Sequence, residues 1–217
     1  MPIQIAIFVI ALWIITTLII AFLCKKYFPQ KEELSRKIIH IGTGPVILLA
    51  WIFDIPKNIA FLSAFFITIA LGVNYNYRLL PAIEDIERKS FGTIAYGISI
   101  TLLLLFFWPN YAASISIGVL SMAFGDGLAG LVGRSVNSPK WLILGQSKSV
   151  VGTLTMATVV AGTTATIASI NNLGILPSEI LVITLIATFL EQVSPWGIDN
   201  ITVPIGVTCL GIWLVGS

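Results

Sequence analysis

Eight apolar stretches separated by short polar connections do most to limit what this chain can become. They run over 3–23, 38–54, 58–73, 92–108, 111–128, 150–170, 176–193 and 201–216. A helix needs roughly 20 apolar residues to cross hydrocarbon, and backbone in lipid must satisfy its own hydrogen bonds, which leaves helices or closed barrels. Stretches this long and continuous exclude the weak alternation, about ten residues at a time, of a membrane barrel. Charged residues make up only 10% of the chain, where a soluble domain carries about 25%. The expected fold is therefore all-α: a polytopic integral membrane protein of about eight transmembrane helices, with seven as the alternative count. No linker, composition break or internal repeat divides the sequence, so residues 1–217 are expected to form a single compact helical domain.

The charges then orient the spans. Eight crossings leave the connections 24–37, 74–91, 129–149 and 194–200 on one side, and these hold eleven of the twelve Lys and Arg residues, with Lys57 alone opposite. By the positive-inside rule that side is cytoplasmic and both termini face away from it. The first apolar run has no basic segment before it and no small-residue cleavage pattern after it, so it reads as a retained helix rather than a signal peptide. Cys24 and Cys209 are isolated and carry no disulfide or metal inference. A formal charge of +2 without basic aromatic tracts gives no reason to expect nucleic acid.

Five polar segments on the cytoplasmic side carry the candidate chemistry. In KKYFPQKEELSRKIIH, a helix would put Arg36 and His40 on one face with Lys37 beside them, toward an anionic ligand at the membrane surface. A solvated positive-inside loop, with Phe28, Leu34 and Ile38 on an interfacial face, explains the same letters. In EDIERKSFGT, Ser90 or Thr93 could cap the next helix, or its first turn could receive phosphate. Arg88 and Lys89 there serve topology, neutralise local acids or attract phosphate.

SMAFGDGLAGLVGR holds Gly125, Gly127, Gly130 and Gly133 around Asp126. Its G-x-G-x-x-G lacks the preceding strand of a dinucleotide-binding unit. Close helix packing accounts for the glycines but not for Asp126, because an unpaired carboxylate in hydrocarbon costs several kcal/mol. Mg2+ carried by phosphate is one remedy, and a salt bridge to Arg134 is another. GQSKSVVGT adds Lys148, Ser147, Ser149 and Gly152 before an apolar run. It is not a Walker A motif, yet a Lys, hydroxyl donors and a helix N-terminus suit phosphate. EQVSPWGIDNITVPIG contributes Glu191 and Asp199 around a break at Pro195 and Gly197, followed by Asn200. Asp199 could cap the last helix and Glu191 could pair with a base, or both could serve a metal and phosphate site.

Together SRKIIHIGTG, FGTIAYG, AFGDGLAGLVGR, GQSKSVVGT and EQVSPWGIDNITVP resemble, over about residues 35–205, the membrane polyprenol kinase family. That family includes phytol kinase, dolichol kinase and CTP-dependent diacylglycerol kinase, and the compact blocks look most like phytol kinases of oxygenic phototrophs. The resemblance implies that Arg36, Lys37 and His40 form the first block, Asp126 with Gly125, Gly127 and Gly130 the nucleotide-associated block, Lys148 and Gly152 the next, and Glu191, Pro195, Asp199 and Asn200 the last. It implies transfer of the γ-phosphoryl group of CTP, or UTP, to phytol, giving phytyl phosphate for tocopherol synthesis from salvaged phytol. It also implies a cyanobacterial inner or thylakoid membrane; without an evident transit peptide the bacterial setting is expected over a plastid.

The expected catalytic residues are accordingly Asp126, Lys148, Asp199, Glu191 and His40, with Asp126 and Asp199 as the acids linked to Mg2+. The expected nucleotide contacts are Arg36, Lys37, Gly125, Gly127, Gly130, Lys148, Ser149, Gly152 and Asn200. Glu191 and His40 remain open between a proton-handling and a positioning role. The partners are the lipid bilayer, a membrane lipid alcohol and a nucleoside triphosphate; the oligomeric state stays open. Alternatives are a kinase for dolichol, farnesol or diacylglycerol, a phosphatidate cytidylyltransferase, and, outside enzymes, a membrane transporter with broken spans.

Overall fold

The computed structural model describes residues 1–30, 32–77 and 91–216. Lys31, Arg78, Arg88 and Lys89, four of the basic residues counted above, and Ser90 lie outside the described residues. The chain is helical apart from one hairpin: α1 Ile3–Tyr27, α2 Glu32–Thr43, α3 Val46–Ile52, α4 Lys57–Tyr77, α5 Gly92–Phe107, α6 Ala112–Leu120, α7 Gly127–Ser135, β1 Lys140–Ile143, β2 Gln146–Ser149, α8 Val150–Asn171, α9 Pro177–Val193 and α10 Asp199–Gly216. Four helical rods, α1, α4, α8 and the continuous Ala112–Ser135, are long and apolar enough to cross a membrane. The chain is a membrane protein built from several such helices.

Two expected spans depart from simple rods. The second is broken into α2 and α3 at Gly44–Pro45, where Pro45 has no amide hydrogen to continue the α2 ladder. Gly44 also lets the break approach its neighbour, since a Cβ there would lie 2.6 Å from the Ala123 Cβ. The fifth carries a π-helical turn, Ser121–Asp126, between α6 and α7. The extra residue in that turn changes the phase of the helix and sets the direction in which Asp126 points.

The stretch before α8, expected as a plain loop in an all-α fold, is an antiparallel hairpin, with Trp141 paired to Lys148 and Leu142 to Ser147. Leu144 and Gly145 make its two-residue turn with φ of 49° and 77°, the left-handed pair that a tight hairpin needs.

The core gathers on α6 and the π turn, where Ile115, Ile117, Met122 and Ala123 are fully buried against Val203 and Val207 of α10 and Met156 and Val160 of α8. Gly118 permits α10 to come close: a Cβ there would lie 2.5 Å from the Pro204 carbonyl oxygen. By contrast α1 packs on α2 and α3, and α4 on α5, and both present most of their surface outward. At one end of the bundle the buried Trp108 indole N–H donates to the Ile55 carbonyl at 2.9 Å, joining two connections expected on the same, non-cytoplasmic side. The charged segments meet at the opposite end.

Candidate active site

Five separate pieces of the sequence converge on one cavity of about 1060 Å3. Arg36, Lys37 and His40 come from one face of α2, Asp126 from the π turn, Lys148 from β2, Glu191 from the last turn of α9, and Asp199 and Asn200 from the first turn of α10.

The Lys37 ammonium donates to the Asp126 carboxylate at 2.6 Å and to its carbonyl oxygen at 3.1 Å. His40 Nε2 is buried without a hydrogen-bond partner among the described residues, 3.8 Å from the same carboxylate oxygen. Its ring is tilted against Tyr96, centroid to centroid 4.6 Å. The Asp126–Arg134 bridge, the alternative to a metal at Asp126, does not form; Arg134 pairs with Glu33, which also lies 3.7 Å from Arg36. The Arg36 and Arg134 guanidiniums thus gather on one carboxylate at the mouth while Lys37 reaches inward.

Lys148 pairs with the Glu191 carboxylate and also donates to the Glu191 carbonyl at 3.0 Å. Gln192 donates to the second Glu191 oxygen and to the Thr153 hydroxyl, both at 2.9 Å. This ties the hairpin, α8 and α9 together at a residue that is 5% exposed. Asp199 is held differently. One of its oxygens accepts from the Asn200 amide at 3.0 Å and from the Asn200 side chain at 3.1 Å. Among the described residues no cation lies within ion-pair distance of it, although it is only 8% exposed. The break that delivers it relies on Gly197 at φ 89°, a backbone conformation natural to glycine.

Asp126, Glu191 and Asp199 each bring a carboxylate oxygen within 4.8 Å of the others. Three acids so close, Glu191 and Asp199 buried and Asp126 partly so, repel one another strongly unless cations intervene. Lys37 and Lys148 compensate two of them and, among the described residues, leave Asp199 without a cationic partner. Oxygen ligands gathered around an uncompensated charge fit a hard divalent cation such as Mg2+.

The glycines divide into two groups. A Cβ on Gly130 would lie 2.9 Å from Lys37 Cε, so Gly130 makes room for the lysine that reaches Asp126. Gly152 and Gly133 let α7 and α8 touch; a Cβ on Gly152 would lie 3.1 Å from the Ala129 carbonyl oxygen. Gly125 and Gly127 instead face Met156 and Ile41, where a Cβ would lie 2.4 Å from a side-chain atom, and neither lines the cavity. Ser149 is the N-cap of α8, accepting from the Gly152 amide at 3.1 Å. Thr93 lines the cavity in the first turn of α5 without capping it. Glu33, Gln192 and Tyr96 were not anticipated. Glu33 had a local signal, standing three residues before Arg36, and Gln192 and Tyr96 stand inside the blocks EQVSPWGIDNITVP and FGTIAYG, where neither was singled out.

Away from the charged end the cavity continues as an apolar arm between α1, α3, α4 and α5. One stripe of α1, including Ile7, Ile14 and Leu18, faces α4 residues such as Ala64 and Ile67 across it. Such a volume suits a sizeable organic ligand.

The chain is 36% identical over 214 residues to the phytol kinase of Synechocystis sp., covering 95% of this chain and 90% of that one. It is 29% identical over 210 residues to a probable chloroplastic phytol kinase 2 of Oryza sativa, covering 86% and 66%. It is 25% identical over 228 residues to the chloroplastic farnesol kinase of Arabidopsis thaliana, covering 91% and 73%. No family profile matches the chain, and no solved structure does. An identity held along nearly the full length of both chains, together with sequence blocks that meet at one cavity, places the protein: it belongs to the phytol and polyprenol kinase family and is a phosphotransferase.

Proposed function

We propose that the protein transfers the γ-phosphoryl group of CTP to the primary hydroxyl of a membrane isoprenoid alcohol, phytol, yielding phytyl phosphate and CDP. The observation that carries this reading is the continuity of the cavity. One end collects carboxylates and ammonium groups suited to a triphosphate, and the other is an apolar arm suited to a prenyl tail. The relatives named as phytol kinases support phytol as acceptor, and the farnesol kinase makes a shorter alcohol the specific alternative.

In this reading the alcohol oxygen attacks the γ-phosphorus, the bond to the β–γ bridging oxygen breaks, and the hydroxyl proton passes to a carboxylate of the cluster. Phosphoryl transfer asks little covalent chemistry of the protein, and most of the rate comes from alignment and charge neutralisation. Asp126 and Asp199 would hold Mg2+, which when bound neutralises phosphate charge. Lys37 and Lys148 turn from their carboxylates toward the phosphates, with Arg36 and Arg134 drawing the nucleotide to the mouth. His40, behind Asp126 and packed on Tyr96, positions that carboxylate. Glu191 seats Lys148 through the network with Gln192 and Thr153.

The proposed topology has eight crossings within one domain spanning 1–217, with the charged end of the cavity at the cytoplasmic face and both termini opposite. The membrane would be a cyanobacterial inner or thylakoid membrane, and the product would feed tocopherol synthesis. Purified protein incubated with Mg2+, γ-labelled CTP and a panel of phytol, farnesol, dolichol and diacylglycerol tests the reaction. Labelled phytyl phosphate with CDP is expected. A CDP-lipid with pyrophosphate, or no transfer to any alcohol, overturns the proposal.

A further inference from the structure

We propose that the closed end of the apolar arm is a length gauge for the acceptor's tail, with Ala50 and Ala60 as the specificity-determining residues. This rests on the reading of the cavity as the seat of a prenyl alcohol. The α4 helix lines the cavity from Ile59 to Asn74, roughly 22 Å at about 1.5 Å per residue, so the arm runs along most of a bilayer-spanning helix. At its far end Ile47 and Ala50 of α3, Ile55, Ala60 of α4, Leu104 of α5 and Val119 of α6 all line it, and each is less than 9% exposed. Side chains that face the cavity and are otherwise enclosed by protein make a floor.

The floor is braced from outside. Ile55 donates its amide to the Ala50 carbonyl at 2.9 Å, and its own carbonyl accepts from the buried Trp108 indole at 2.9 Å. That pins the turn between α3 and α4 under the arm, so a longer tail cannot push it away without breaking hydrogen bonds in an apolar setting. The side wall differs: Ile7, Leu18 and Ile67 line the cavity and are 44%, 37% and 50% exposed. The arm thus admits a tail from the bilayer between α1 and α4 and stops it at the floor. With the hydroxyl held at the carboxylates, the distance to the floor decides which tails fit, and small side chains there set that distance.

The test compares kcat/KM for geranylgeraniol and farnesol, two allylic alcohols differing by one isoprene unit, in the full-length protein. Ala60→Leu raises the floor and is expected to lower the geranylgeraniol-to-farnesol ratio about tenfold or more, the scale on which an apolar pocket rejects extra carbons. Leu104→Ala deepens the arm and is expected to raise the ratio of the next longer prenyl alcohol to geranylgeraniol. This second variant carries the test if Ala60→Leu does not fold. Unchanged ratios, or equal loss on all alcohols, overturn the gauge. Failure of the unaltered protein to phosphorylate any prenyl alcohol would instead overturn the kinase reading beneath it.

Discussion

Lys37 and Asp126 stand 89 residues apart in sequence and 2.6 Å apart in the cavity wall, with side chains only 8% and 18% exposed. An ion pair this enclosed restrains each partner, because removing one leaves an uncompensated charge in a medium that solvates it poorly. Lys37→Met is therefore expected to lower folding stability by about 3 kcal/mol or more and to abolish transfer. The double variant Lys37→Met/Asp126→Asn should recover most of the lost stability and none of the activity. Thermal unfolding in detergent beside a CTP turnover assay reads both. If the double variant is as unstable as the single one, the pair is not what Lys37 contributes.

Asp199 offers a cleaner separation of stability from function. It is nearly as buried as Lys37 but faces two other carboxylates and, among the described residues, no cation. Asp199→Asn removes a charge that costs folding energy while preserving shape and the neighbouring Asn200. It is expected to raise stability by about 1 kcal/mol and to reduce transfer at least roughly a hundredfold, the pattern of a site that keeps strain for function. A variant that stays fully active would remove Asp199 from the proposed metal-binding pair.

Ser149 distinguishes a cap from a phosphate contact. Its hydroxyl already accepts the Gly152 amide at the start of α8. Ser149→Ala is accordingly expected to cost about 1 kcal/mol of stability. The KM for CTP should stay close to that of the unaltered protein. A large rise in that KM without loss of stability would show the hydroxyl serving the nucleotide instead.

Much of the architecture was legible because hydrophobic continuity reports burial in lipid directly. The positions of α1, α4, α5, α8 and α9 match the apolar runs to within a few residues, whereas 38–54 was expected as one span and Gly44–Pro45 divides it between α2 and α3. The convergence of Lys37, Asp126, Lys148, Glu191 and Asp199 followed from charge placement and the family's blocks. The π turn at Ser121–Asp126 was not legible: it is a choice of hydrogen-bond register made by packing between α8, α10 and α2, with no local residue pattern to announce it. The hairpin escaped notice because its turn uses Leu144 and Gly145 rather than the usual Asn-Gly. Asp126's cationic partner was not legible either, Arg134 being only the alternative to Mg2+ there. Arg134 is close in sequence, but α7 carries it past the carboxylate to Glu33, and Lys37 arrives from another helix.

The four glycines around Asp126 look equivalent in sequence, and the structure separates them by what a methyl group would strike. On Gly127 a Cβ would lie 2.4 Å from Ile41 Cγ1, a branched side chain between α7 and α2 with little freedom to retreat. Gly127→Ala is expected to cost about 1–3 kcal/mol through overpacking, while whatever protein folds keeps its kcat. On Gly130 the nearest atoms are Cε and Nζ of Lys37, at 2.9 and 3.1 Å, the end of a flexible chain that can swing aside. Gly130→Ala should therefore leave the Lys37–Asp126 pair formed and stability nearly unchanged while shifting the ammonium from its place in the cavity, cutting transfer by about tenfold or more. Measured side by side, the two variants should show opposite profiles: stability lost with turnover kept at Gly127, turnover lost with stability kept at Gly130. Matching profiles would mean that Gly130 serves only helix packing and that the reach of Lys37 does not depend on it.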